Sequence, residues 1–557
     1  MQVLTAAEMQ ACDRATTERF GVASIDLMRA AAAAVVRFAR AEFSAARRVT
    51  VLCGKGNNGG DGMMAAWLLA DAGLDVTTVL LGSPDGLKGD AAVAWRELTE
   101  PGRGTIHAVT AAGELARLKD ALTADLIVDA VVGTGFKPPL KGLALAALEW
   151  LRTSRAPMLS VDLPSGWPAD ETSASVNAPV YPSDAVVTFT APKPAHVFGQ
   201  LTRGWNQPVV VAPIGSPPQA IVSTQKLSWA GSALALALTP RAADSNKGRF
   251  GHVLVVGGTF GAAGGKAGAP SMSALAALRV GAGLVTAAVP AAAMSAVGAI
   301  APELMTWGLE TNAAGSISDE NLAPERVAAL IAGKTVLAIG PGLGQAPETV
   351  KFVSGFLAAT KIPAVVDADA LNILAAKPVL LAKLARGRTL VLTPHPGEMA
   401  RLTGLTIAEV QANRLNTARE FAQRLGVTLV LKGARTLIAH PDGRVAVNTT
   451  GNPGMAKGGS GDVLTGLIAG LLAQHSDDPA RAVEAAVYLH GLAADMAVRA
   501  ADEHTLLATD SLAFLARAFQ SSRRHFREMG ANGYVWLQGA PRAAGSTRAT
   551  DPDEGME

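Results

Sequence analysis

Cysteine is nearly absent: Cys12 and Cys53 are the only thiols in 557 residues. Two thiols cannot build a disulfide framework or a four-thiolate zinc site, and they suit a reducing compartment. A dominant charge is also missing. The 49 Lys and Arg nearly balance the 47 Asp and Glu, leaving +2. That argues against a strongly basic nucleic-acid binder and against an acidic-tail protein. No apolar run approaches the roughly 20 residues of a membrane span; Ala30–Val36 and Leu467–Ala473 are among the longest. Met1-Gln2-Val3-Leu4-Thr5 lacks the basic-then-apolar pattern of a signal peptide. No internal repeat of fixed period is found. The expectation is a soluble cytoplasmic protein with neither a nucleic-acid nor a membrane partner.

What is present is apolar and glycine-rich. Hydrophobic residues make up 49% and charged ones 17%, with 58 glycines; about 25% charged is typical, so large cores are affordable and extensive disorder is excluded. Roughly 150 residues per domain gives a prior of two to four domains. Strand-length apolar runs alternate with Ala/Leu-rich helical stretches in two series. The first is Val49–Cys53, Val76–Leu81, Leu126–Val132, Met158–Leu163 and Val186–Thr190. The second is Val253–Val256, Leu284–Val289, Thr335–Ile339, Ala364–Asp367, Leu390–Thr393 and Thr428–Leu431. Continuous rather than alternating apolar runs predict strands buried on both faces, joined by helical crossovers. The fold class is therefore α/β, with two doubly wound domains. The Pro/Ser/Gly/Gln stretch Ala212–Gln219 reads as a linker. The expected domains are 1–219 and 220–520, followed by a disordered tail over 521–557.

In open α/β sheets, ligands bind beyond the carboxyl ends of the strands. Three such ends in the first domain carry chemistry. The first is Gly54-Lys55-Gly56-Asn57-Asn58-Gly59-Gly60-Asp61-Gly62, leading into a helix. Its glycines let backbone amides approach a phosphate at a helix start. No carboxylate ends the next strand, where a ribose-binding acid is expected, which weakens a simple dinucleotide-oxidoreductase reading. The second end is Asp129-Ala130-Val131-Val132-Gly133-Thr134-Gly135-Phe136-Lys137, and the third is Asp162-Leu163-Pro164-Ser165-Gly166. A carboxylate in an apolar strand needs a cation or several donors. If these strands are neighbours, Asn58, Asp129, Asp162 and Ser165 converge. Such hard oxygen ligands suit an alkali or alkaline-earth cation; a carboxylate beside a lysine such as Lys137 suits proton relay instead.

These motifs, with Phe189-Thr190-Ala191-Pro192-Lys193-Pro194, are similar to the NAD(P)H-hydrate epimerase domain over most of residues 1–215. The resemblance implies a Rossmann-like fold that inverts the hydroxyl-bearing carbon of hydrated NADH or NADPH. It implies substrate contacts by Asn57, Asn58, Gly59, Gly60 and Asp61. Gly133, Thr134, Gly135, Phe136, Lys137, Pro138 and Pro139 form a second contact segment. Asp162 contacts substrate as acid/base, with Lys137 as a proton-transfer partner. Potassium falls to Asn58, Asp129 and Ser165. The chain departs from the family at Leu27-Met28-Arg29-Ala30-Ala31-Ala32, where Glu and Gly are usual at the Arg29 and Ala32 positions.

In the second domain, Lys457-Gly458-Gly459-Ser460-Gly461-Asp462 opens a helix. Its exposed amides form an anion hole beside a carboxylate, the parts a hydroxyl-phosphorylating site requires. An N-capping Asp after a glycine turn is the plainer alternative. No G-x-x-x-x-G-K-[ST] segment exists, so the P-loop is excluded. Lys432-Gly433-Ala434-Arg435-Thr436 follows a strand and suits nucleotide phosphates. His395 lies between Pro394 and Pro396 on a loop, where a ligand role is expected.

With Gly340–Gly344, Asp367–Asn372 and Thr393–Glu398, this segment resembles the ribokinase-like superfamily. The similarity is to its ADP-dependent NAD(P)H-hydrate dehydratase branch, over about residues 226–516. The resemblance implies nucleotide contacts by Lys432, Gly433, Ala434, Arg435, Thr436 and Gly461. It implies hydrate contacts by Ala269, Gly344, His395 and Asp462. ADP is the co-substrate, with magnesium, and Asp462 is the base that lets the hydrate hydroxyl attack ADP; AMP and phosphate are the products. A homo-oligomer is expected. The competing reading is a ribokinase-like small-metabolite kinase carrying a non-catalytic N-terminal binding module.

Overall fold

The computed structural model describes residues 1–262 and 264–539. It divides into two compact units. One comprises Val3–Ser223 with the segment after Ala531; the other comprises Thr224–Ala531 with Met1–Gln2.

The first unit is built on an eight-stranded sheet. Arg48–Cys53 lies at its centre, with Asp75–Leu81 and then Thr105–Val109 on one side. On the other side follow Leu126–Ala130, Met158–Val161, Ala185–Phe189, Val209–Ala212 and Val535–Gln538. All neighbours are parallel except the last pair. Val51, Leu52, Val128, Leu159 and Val187 are fully buried, as their unbroken apolar runs require. Strand order reverses between Arg48–Cys53 and Leu126–Ala130. The crevice of a doubly wound sheet opens at that reversal.

Two expectations need correction here. The stretch Ala212–Gln219 is not a free linker. Ala212 ends a strand, Ser216 Oγ lies 3.1 Å from Thr190 Oγ1, and Ala220 packs with Leu4, Met9 and Cys12. Nor is 521–557 disordered over its described part. Helix Ala508–Asn532 runs through it, and Val535–Gln538 adds the antiparallel edge strand. The cause is local: Tyr534-Val535-Trp536-Leu537 are all strand-favouring residues, and Tyr534, Val535 and Leu537 bury themselves. Residues 540–557 lie outside the described part.

The second unit carries a ten-stranded sheet. Seven strands run parallel in the order Met305–Leu309, Leu284–Pro290, His252–Val256, Val336–Ile339, Ala364–Val366, Leu390–Leu392 and Thr428–Leu431. An extension follows: Leu437–Ala439 and Val445–Val447 add antiparallel, and Leu227–Trp229 adds parallel at the edge. Its order reverses between His252–Val256 and Val336–Ile339. Beyond the second of these strands, Gly340 (φ 132°) approaches the Asp367 carbonyl so closely that any Cβ would collide at 1.8 Å. Helix Ser460–Gln474 is buried along nearly its whole length and packs on helix Gly268–Val280. No helix among the described residues is long and apolar enough to cross a membrane.

Candidate functional site

The first unit opens a cleft of about 710 Å³ at its strand-order reversal. Helix Asn57–Asp71 starts there because Gly54–Gly56 turn the chain out of the central strand. Asn57, Asn58 and Asp61 face the cleft, as do Gly133, Thr134, Gly135 and Phe136. Gly59 and Gly60 do not: they are buried in the helix start against Gly54 and Met28, so packing demands them. Gly133 is required by the site, because a Cβ there would sit 2.8 Å from Asp162 Oδ2 and 2.9 Å from Asn58 Oδ1.

Asp162 is the most constrained residue of the cleft. It ends its strand at φ 67°, a region costly for residues other than glycine. Its Oδ1 accepts from Lys193 Nζ at 2.8 Å and Thr188 Oγ1 at 2.9 Å. Its Oδ2 accepts from Thr134 N at 2.7 Å and Thr134 Oγ1 at 2.6 Å. His196 Nε2 donates to its carbonyl at 2.7 Å, while Nδ1 accepts from Lys193 N at 3.0 Å. Burial would raise the Asp162 carboxyl, but Lys193, His196 and Thr134 hold it well below the usual carboxylate range. His196 itself is pushed down to about 4 by burial and by the Lys193 charge.

The lysine beside Asp162 is thus Lys193, not Lys137. Lys137 is exposed, makes no ion pair among the described residues and does not line the cleft; Pro138 and Pro139 are exposed too. The sequence carries Lys193 in Phe189–Pro194 but gives no sign of its partner, because the contact is made across the sheet.

Asp129 is fully buried one strand away. It accepts from Ser165 Oγ at 2.6 Å, Ser165 N at 2.8 Å and Val131 N at 3.2 Å. Burial still pushes its carboxyl up to about 6. Hydrogen bonds therefore join Asp129 to Ser165, as the motifs anticipate, but none joins either residue to Asn58. Asn58 Nδ2 is buried and unpaired. The departing residue Arg29 makes a surface ion pair with Glu97 at 2.8 Å, and Ala32 is fully buried.

In the second unit, Asp462 sits in the first turn of helix Ser460–Gln474, whose preceding Gly459 has φ 96°. Ser273 Oγ donates to the Asp462 carbonyl at 2.7 Å and fixes that turn. Asp367 anchors the surroundings, accepting from Lys432 Nζ and Thr393 Oγ1 on Oδ1 and from Thr465 Oγ1 on Oδ2, at 2.7–2.8 Å. Burial and the nearby Asp367 push the Asp462 carboxyl up to about 6. Lys432 thus stands in an ion pair beside the helix start, with Glu398 at 3.7 Å. A Cβ on Gly461 would lie 3.4 Å from its Nζ. Against burial, Asp367 and Glu398 hold Lys432 above its ordinary value.

Asp367 and Glu398 received no role from the sequence. The signal was there: each carboxylate comes after an apolar strand, as Asp162 does. His395 caps helix Pro396–Thr403, Nδ1 accepting from Gly397 N at 3.0 Å, and stays half exposed. Gly344 N donates to Asp369 Oδ2 at 2.8 Å. Ala269, half-buried in helix Gly268–Val280, packs against Gly342. Gly433 and Ala434 are exposed on their loop, and Thr436 Oγ1 closes it onto the Gly433 carbonyl at 2.9 Å. Arg414, also unanticipated, clamps the loop by donating to the carbonyls of Ala434, Leu431 and Lys432. Arg435 (φ 55°) donates to the Thr449 carbonyl at 3.1 Å.

Comparison with known proteins gives the following. Residues 24–195 match the model of the YjeF-related protein N-terminus. Residues 253–516 match the model described as NAD(P)H-hydrate dehydratase. A bifunctional NAD(P)H-hydrate repair enzyme of Moorella thermoacetica is 42% identical over 530 residues, covering 92% of this chain and 96% of its own. That of Escherichia coli is 34% identical over 510 residues, covering 91% of each. The solved ADP/ATP-dependent NAD(P)H-hydrate dehydratase of Bacillus subtilis, co-crystallized with ATP and magnesium, is 31% identical. It covers 54% of this chain and 100% of that one, with a TM-score of 0.44.

Proposed function

Since the chain belongs to the family of bifunctional NAD(P)H-hydrate repair enzymes, we propose that each of its two units performs one step of repair on hydrated NADH and NADPH. The first interconverts the R and S hydrates. The second dehydrates the S hydrate to NAD(P)H, using ADP and yielding AMP and phosphate.

The observation that carries the second step is the placing of Asp462 beside Lys432 and Asp367 at a half-buried helix start. Hydroxide leaves poorly. Asp462 takes the proton of the ring hydroxyl as its oxygen attacks the terminal phosphorus of ADP, and the bond to AMP breaks. The first-turn amides and the Lys432 ammonium stabilise the moving negative charge. Phosphate then departs with the carbon–oxygen pair, pushed by the ring nitrogen. Loss of a proton from the adjoining carbon restores the reduced ring. Loop 432–436, clamped by Arg414, holds the nucleotide; His395, Gly344 and Ala269 border the hydrate. Among the described residues no three His, Cys, Asp or Glu side chains gather to hold a metal ion. Magnesium would come with the nucleotide, held by its phosphates, and would neutralise part of their charge.

In the first unit the hydrated dinucleotide lies over Asn57, Asn58 and Asp61 and along 133–136, with Asp162 facing the inverting carbon. Potassium fits Asn58, Asp129 and Ser165. The Asn58 amide is buried with an unpaired Nδ2, and the Asp129 carboxyl lies buried with no cationic partner among the described residues. Bound there, the ion supplies the charge that keeps Asp129 ionised. Exchanging potassium for tetramethylammonium is expected to slow epimerisation severalfold, and an unchanged rate would remove the ion from the account.

The proposal as a whole is tested with mixed hydrate epimers and excess ADP. Recovery of the reduced-dinucleotide absorbance is expected to be complete, at a rate above spontaneous epimerisation. A plateau at one epimer's share would reject the first activity.

A further inference from the structure

Asp162 is poorly suited to exchanging a proton. Both of its carboxylate oxygens are taken, Oδ1 by Lys193 and Thr188 and Oδ2 by the backbone and hydroxyl of Thr134. Lys193 is itself buried and committed to Asp162 and Thr188. His196 is committed at both ring nitrogens.

Asp61 lies on the same cleft, four residues into helix Asn57–Asp71 and half-buried. Its carboxyl has no hydrogen bond and no ion pair among the described residues. The charges that face it are Asp162, from the end of its strand, Asp13, from helix Ala6–Glu18, and Asp90, from helix Gly89–Leu98. All are negative; Lys193 opposes them, and Lys55 and Arg14 line the same cleft. Burial first, then the Asp162 and Asp13 charges, raise the Asp61 carboxyl well above its ordinary range. Held toward its protonated form with both oxygens unengaged, the carboxyl can offer one O–H donor and one acceptor at once.

We propose that Asp61 is the proton-transferring catalytic residue of this cleft, and that Asp162 and Lys193 form a positioning pair. The inference rests on the reading of this unit as an epimerase. Hydration of an enamine ring leaves the hydroxyl on the carbon bonded to nitrogen, so the inverting centre is a hemiaminal. The free oxygen of Asp61 accepts the hydroxyl proton while its O–H proton passes to the ring nitrogen. The carbon–nitrogen bond breaks with its pair on nitrogen, and a carbon–oxygen double bond forms. The freed carbon rotates, and nitrogen attacks its opposite face. Asp61 takes back the nitrogen's proton and returns one to oxygen. No proton, electron or co-reactant is consumed.

The test uses the full-length protein, one purified hydrate epimer and no ADP, with the two epimers resolved chromatographically over time. Asp61→Asn is expected to slow inversion by about 100- to 10,000-fold while KM changes far less. Asp61→Glu is expected to recover part of the rate. Wild-type inversion is expected to fall as rising pH ionises Asp61, and to lose that limb in Asp61→Asn. Asp162→Asn is expected to raise KM and lower the melting temperature. Equal inversion by wild type and Asp61→Asn overturns the role of Asp61 and leaves the epimerase reading standing. Absence of inversion in the wild type overturns the epimerase reading itself. Should Asp61→Asn fail to fold, an Asp61→Glu pH profile identical to wild type overturns the proposal, and a displaced one supports it.

Discussion

Burial sets the working range of Asp462. It pushes the carboxyl up to about 6, and in the proposed mechanism the ionised form is the base. Dehydration should therefore be flat above that value and fall about tenfold per unit below it, as the carboxylate takes up a proton. Asp462→Asn should lose about 100- to 10,000-fold in kcat and lose the acidic limb with it. A wild-type profile flat between about pH 8 and pH 5 would contradict the assignment. At this scale the sequence is uneven. Asp129, Asp162 and Asp462 are legible because each interrupts an apolar run or opens a glycine turn. Partners are not legible. In one dimension Lys137 looks available to Asp162, and nothing marks Lys193 as its partner. The sheet decides between them by setting strand Ala185–Phe189 beside Met158–Val161, so that the chain leaving the first delivers Lys193.

The elements follow a simple rule in both units. Continuous Val/Leu/Ile runs become central parallel strands, and these are the strands visible in sequence. Those that are not visible lie toward the edges or are short. Thr105–Val109 is largely exposed, and Leu437–Ala439 and Val445–Val447 have three residues each. The edge strand Val535–Gln538 is the clearest case, since an arginine-rich, acidic surrounding hides its pattern. Its burial has weight. Leu537 is fully buried, Tyr534 Oη donates to the Ala34 carbonyl at 2.6 Å, and its ring meets Phe38 edge-on at 5.8 Å. Each large apolar side chain so buried contributes about 1.5–3 kcal/mol. Truncation after Asn532 should lower the unfolding free energy of the first unit by several kcal/mol, read as a lower denaturant midpoint at unchanged m. An unchanged midpoint would show that the strand adds nothing.

At the scale of the molecule, the two units solve one chemical problem with the same architecture. Each is a sheet whose strand order reverses, and each sets carboxylates beyond its parallel strands, Asp162 in the first and Asp367 in the second. In the proposed function the second unit accepts one epimer and the first supplies it from the other. The account hangs on phosphoryl transfer as the means of expelling the hydroxyl. The most direct measurement follows AMP, phosphate and NAD(P)H together as the S hydrate and ADP are mixed with the protein. The account predicts one AMP and one phosphate for each dinucleotide restored. Restoration without nucleotide consumption, or accumulation of a stable phosphorylated product in place of free phosphate, would contradict it.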